Sequence, residues 1–126
     1  MRRLLSTFCL IFVMLGCDRS TVTEQAQVLG KREFTQQAWG SASQVERGQM
    51  VSSFLAKYPV SQLTAEQVKD LLGPPTGYAD YDEDPAYVVG PSTVGSEYGK
   101  GYLLIFVTDK RTGQVREARL EPEIET

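Results

Sequence analysis

Apolar residues follow three different spacings along this chain, and each spacing marks a different kind of element. From Leu4 to Leu15 they are almost uninterrupted, with Arg2 and Arg3 before the run and Gly16, Cys17, Asp18 and Arg19 after it. A run of about twelve is too short for a spanning helix, which needs roughly twenty residues. A charged start, a short apolar stretch and a small residue at its end make the pattern of a secretory signal peptide. Further on the spacing becomes helical. Met50, Val51, Phe54, Leu55 and Tyr58 fall on one stripe. Ser43 and Glu46 stand at capping-box spacing before it, and Pro59 disfavours helical geometry at Tyr58. The pattern predicts a helix over 44–57, weakened by Gly48, since an interior glycine costs about 1 kcal/mol relative to alanine.

A second helix is predicted over 65–72. Thr64 and Gln67 form a capping box, Leu63 and Val68 a hydrophobic staple. Val68, Leu71 and Leu72 make its inner face, and Gly73 followed by Pro74 and Pro75 ends it. So short a helix must dock to persist. After Pro75 the period is strand-like. Ala86 to Val89, Tyr102 to Val107 and Gln114 to Leu120 are the strand candidates, and 109–113 is a hairpin loop ending in glycine. Residues 90–101, with Gly90, Pro91, Gly95, Gly99 and Gly101, read as a long loop. Helices followed by an antiparallel meander predict an α+β fold, two N-terminal helices packed on a three- or four-stranded antiparallel sheet.

The middle strand raises a question of burial. Tyr102, Leu104 and Phe106 point to one face, and Leu103, Ile105 and Val107 to the other. Two helices cover one face, and a strand with a solvated face should alternate with polar residues. Either Phe34 and Trp39 or the long loop covers the second face, or it is an exposed apolar patch for a partner. All six residues are therefore candidates for a partner-binding surface.

The segment Met14-Leu15-Gly16-Cys17 resembles the lipobox of bacterial lipoproteins. That resemblance implies cleavage before Cys17, acyl chains including palmitate on Cys17, and a domain facing the periplasm. Cys9 would leave with the signal, so the mature body would hold no free thiol and no disulfide. Removing residues 1–16 leaves 110 of 126 residues, one small domain, and takes away Arg2 and Arg3, so the net charge moves from −3 to −5. Residues 17–33 read as the lipidated cysteine and a flexible tether. Sixteen coil residues reach about 20–25 Å r.m.s.. The α+β domain is expected over 34–120, and 121–126 read as an acidic tail that frays. Asp18 resembles the inner-membrane retention signal of enteric bacteria, so the anchor alone does not select the membrane.

The charge and composition narrow the chemistry. An acidic body argues against nucleic acid and against adhesion to anionic head groups. The chain has no histidine, which removes Ser-His-Asp and Cys-His catalysis and histidine metal sites. Asp80 to Asp84 opens like a calcium loop, but Pro85 and Pro91 occupy the positions that want glycine and glutamate. It reads as a solvated loop. Gly99 to Gly101 lacks a phosphate-loop spacing, and Glu66 with Asp70 is ordinary helix surface. No enzyme, cofactor or metal is expected.

Leu63-Thr64-Ala65-Glu66-Gln67-Val68 through Leu72-Gly73-Pro74-Pro75 resembles the signature of the SmpA/OmlA/BamE-like lipoprotein domain. Tyr87 to Gly90, Leu103 to Asp109 and Gly113 to Val115 resemble its later strands and hairpin. The resemblance spans about 47–120 and implies a fold like that of the β-lactamase-inhibitor protein. It implies a non-enzymatic interaction module in the cell envelope, favours the outer membrane, and points to outer-membrane assembly or maintenance with a protein partner. The alternative is an inhibitor-like or ligand-binding lipoprotein acting through loops at 76–101.

Overall fold

The computed structural model describes residues 21–79, 84–96 and 99–126. Four helices come first: α1 (Val22–Leu29), α2 (Gln36–Ser41), α3 (Gln44–Lys57) and, after a 3-10 turn at Val60–Gln62, α4 (Ala65–Leu72). Strands β1 (Gly77–Ala79), β2 (Asp84–Val89), β3 (Gly95–Ser96), β4 (Gly99–Lys100), β5 (Tyr102–Thr108) and β6 (Val115–Glu121) follow. The fold is α+β, as the order of spacings predicts. Helices α3 and α4 keep the expected bounds because both capping boxes close. Ser43 Oγ accepts the Glu46 N–H while Glu46 Oε1 accepts the Ser43 N–H, and Thr64 with Gln67 does the same. Each box satisfies two helix N–H groups that have no partner inside the helix.

The main sheet has the order β1-β2-β5-β6, all antiparallel. Its fourth strand is β1, which pairs Gly77 with Ala86. Ala86, Ile105 and Arg119 lie in one cross-strand row, and Tyr87, Leu104 and Leu120 in the next. Between Val107 and Thr108 the register shifts by one: Thr108 faces Val115, but Val107 faces Glu117. The extra residue in β6 explains why its apolar positions, Val115, Ala118 and Leu120, do not keep a period of two. All three are buried. Within the loop expected over 90–101, β3 and β4 form a two-stranded ribbon.

One face of the sheet carries the core. Phe34, Trp39, Phe54, Tyr87 and Phe106 meet edge to face, with centroid separations of 5.0–6.1 Å. This geometry sets the positive edge of one ring against the negative face of another. Two of these rings also close the end of α4: Trp39 Nε1–H donates to the Leu72 carbonyl at 2.8 Å and Tyr87 O–H to that of Gly73 at 2.8 Å. The last carbonyls of a helix lack partners within it, so the aromatic core fixes where α4 stops.

Four expectations need correction. The tether predicted over 17–33 is helix from Val22 to Leu29, packed on α3 and β6, with Ala26 fully buried. Thr21 and Glu24 close a third capping box, and the box with docking on α3 outweighs the polar composition. Phe34 and Trp39 do not cover the second sheet face. Thr35 caps the short α2, and both rings enter the main core at 1% exposure. The tail at 121–126 does not fray throughout: Ile124 is buried and its N–H donates to Gln25 Oε1 of α1 at 3.1 Å. Asp84, read as part of a solvated loop, begins β2 and is 4% exposed. Its Oδ1 accepts from the Thr108 N–H and Oγ1–H, and Lys110 Nζ lies 3.1 Å away. A buried carboxylate must be hydrogen-bonded and charge-paired to persist, and the pairing of β2 with β5 brings Thr108 close to Asp84 for this.

Two partly exposed carboxylates predict the acid limit of this fold. The Ser43 N–H holds the Glu46 carboxyl below its ordinary 4.5. The Arg111 N–H does the same for Asp109 in the β5–β6 turn, below its ordinary 3.8. A group with depressed folded pKa adds stability that is complete above its unfolded value and is lost as pH falls through the folded one. Melting temperature is therefore expected to hold down to about pH 5 and to fall below about pH 4. A Glu46→Gln/Asp109→Asn double variant should show a smaller fall over that range. An equal fall in both proteins, followed by circular dichroism, would remove these carboxylates as its source.

Candidate interaction site

A groove lies between the N-terminal end of α1 and strand β6. β6 is an edge strand, and among the described residues only its beginning receives main-chain bonds from outside the sheet. The Val115 N–H donates to the Leu63 carbonyl, and Gly113 accepts from the Ala65 N–H. Beyond Val115, among the described residues, no main-chain bond reaches β6 from outside the sheet. There a groove of about 380 Å³ runs beside the strand. Val22, Val60, Ala118 and Leu120 supply its apolar part, and Arg116, Glu117, Arg119 and Glu121 its charged rim. Arg119 sits between Glu117 and Glu121, at 3.5 and 3.9 Å, and Arg116 reaches Asp109 at 3.6 Å. Among the described residues the site thus offers a backbone edge without main-chain partners, with a narrow apolar floor and a rim of mixed charge. Main-chain groups there can pair with an extended segment, while the floor accepts small apolar side chains.

A second groove, about 310 Å³, opens between the start of α3 and β2. Gln44, Arg47, Thr76 and Val88 line it. Arg47 is committed elsewhere: its Nε–H donates to the Trp39 carbonyl at 3.0 Å and its guanidinium lies 4.8 Å from the Trp39 ring centroid. Partial burial lowers its pKa.

The residues singled out on the middle strand are not a bare patch. Leu104 and Phe106 belong to the main core, with Tyr102 partly buried against it. Leu103 and Ile105 form a second small cluster with Ala86, with Val88 and Val107 partly buried beside it. None of the six is exposed, so the expectation of an exposed apolar strand is corrected. The interaction-competent feature is instead the edge of the neighbouring strand. Sequence reasoning passed over β6 because its side chains are mostly charged, whereas its open feature is backbone. Cys17 lies outside the described residues, as do Asp80 to Glu83 of the acidic run. Among the described residues no group of three or more acidic, histidine or cysteine side chains could hold a metal ion. No described helix is long and apolar enough to cross a membrane.

No protein-family model, curated protein or solved structure matches the chain.

Proposed function

We propose that this chain is a lipid-anchored envelope lipoprotein whose α+β domain is a non-enzymatic protein-interaction module, taking an extended segment of another envelope protein along the β6 edge. The observation that carries the binding role is the open backbone of β6 beside a groove with an apolar floor. The ending Met14-Leu15-Gly16-Cys17 supports acylation at Cys17 and a domain facing the periplasm. The resemblance of Leu63 to Pro75 to the SmpA/OmlA/BamE-like domain supports a role in outer-membrane assembly or maintenance. The second groove favours one alternative, an inhibitor-like or ligand-binding lipoprotein that works on the Thr76 side.

Cys17→Ser is expected to move the protein from the membrane to the soluble fraction. A mature N-terminus beyond residue 17 in the native protein would overturn the anchor. The wild-type chain, captured from detergent-solubilised membranes, should bring down barrel-assembly proteins. Val60→Asp, in the β6 groove, should abolish that capture while Ala42→Asp, in the second groove, leaves it intact. Recovery of a soluble enzyme, lost in Ala42→Asp alone, would favour the alternative.

A further inference from the structure

We infer that the face formed by the start of α1 and strand β6 is the side of the domain held against the bilayer. This rests on the acylation of Cys17 proposed above and on where the folded domain begins. A tether of sixteen coil residues would leave every face free to approach the membrane. The structure removes most of that tether, because Thr21 already caps α1 and α1 is built into the domain. Ala26 is fully buried, Gln25 receives the Ile124 N–H, and the chain leaving the helix is fastened by the Arg32 N–H to the Gln49 carbonyl at 2.9 Å. Only Asp18, Arg19 and Ser20 separate the lipid-bearing residue from the rigid body. Four residue steps span at most about 14 Å even when fully extended.

That reach is short against the body it restrains. A chain of this length folds to a radius of gyration of about 13 Å, a body roughly 30 Å across. Thr21 therefore stays within about half a domain width of the head groups. Thr21 and Val22 line the β6 groove, so the groove shares this constraint. The opposite sheet edge, β1, lies three strand spacings from β6, about 14 Å sideways, and α2 packs on α4 and α3. Charge does not produce this orientation: the face carries Glu24, Glu117, Glu121 and Glu123 against Arg116 and Arg119, so the lipid alone holds it there. The segment that pairs with β6 is then presented from the membrane surface.

The test uses the full chain, processed and acylated in cells and reconstituted into phosphatidylethanolamine/phosphatidylglycerol vesicles carrying a gadolinium-chelate headgroup lipid. Glu123→Cys, beside the groove, and Gln37→Cys, on α2, are exposed positions for a single nitroxide label. Relaxation enhancement should be several-fold stronger at position 123 than at 37. Inserting about twenty Gly/Ser residues between Arg19 and Ser20, a coil of roughly 25 Å, should abolish the difference. Equal enhancement at both positions in chains that co-float with the vesicles would overturn the orientation while leaving the anchor standing. Chains that neither co-float nor carry acyl mass on Cys17 would overturn the anchor, and the orientation with it.

Discussion

Replacing Trp39 by alanine is expected to destabilise the domain by about 3–5 kcal/mol, the range for removing a buried aromatic side chain. At roughly 4–8 °C per kcal/mol for a domain of this size, the melting temperature should fall by at least about 12 °C. The ring is 1% exposed and lies 6.0 Å from both Phe34 and Tyr87, centroid to centroid. Its loss also leaves the Leu72 carbonyl without its 2.8 Å donor and removes the surface on which Arg47 lies. Helix α2 has six residues, too few to persist without docking, so it should melt with the ring. Trp39→Phe separates the two contributions. It keeps most of the apolar volume, and its cost should be nearer the 1–3 kcal/mol of an unsatisfied buried acceptor. A melt of Trp39→Ala within a few degrees of the native chain would show that the ring does not occupy the core.

The second large effect runs against helix propensity. Gly48 lies inside α3, where alanine should add about 1 kcal/mol of stability. Yet a Cβ at that position would stand 2.8 Å from the Gly90 nitrogen and 2.9 Å from its Cα, both backbone atoms. Gly90 is also the donor that ties the end of β2 to the Gln44 carbonyl in the first turn of α3. Gly48→Ala must push the helix off the sheet, and overpacking of this kind costs about 1–3 kcal/mol. Loss of the Gly90 bond adds about 1 kcal/mol. The net result is expected to be destabilisation, with Gly48→Val worse. Gly40→Ala is the control, since a Cβ there meets nothing within 4 Å, and it should be neutral or stabilising. Urea denaturation of the three variants checks this ordering, and a stabilised Gly48→Ala would refute the close approach.

Both experiments probe places where local grammar and tertiary structure diverge. Gly48 looks like a flaw in a helix until Gly90 is found against it. The same holds for α1. Thr21-Val22-Thr23-Glu24 is a capping box as regular as that at Thr64, and Val22, Ala26 and Leu29 keep helical spacing behind it. The signal was present, but a polar segment beside a lipid-bearing cysteine reads as a tether until a docking surface is seen. Once α1 is in place, Ile124 has Gln25 to bond to. Two misread ends of the chain therefore share one cause. Asp84 shows the same dependence, since nothing in the local run Asp80 to Asp84 announces Thr108 and Lys110 as its partners.

Helices α3 and α4, the three principal strands and the α+β order were legible in the sequence, because capping boxes, proline and glycine stops and apolar periodicity act within a few residues. The signal run and Cys17 are equally local, and they carry the proposal of a lipid anchor. Tertiary structure alone decided which face of β5 holds the main core, that Phe34 and Trp39 join it, and that β6 rather than β5 presents the open feature. It also decided that the segment from Thr21 to Leu29 is built into the domain. These outcomes depend on contacts between residues far apart in the chain and on which backbone groups remain unpaired after the sheet forms. No local pattern encodes either.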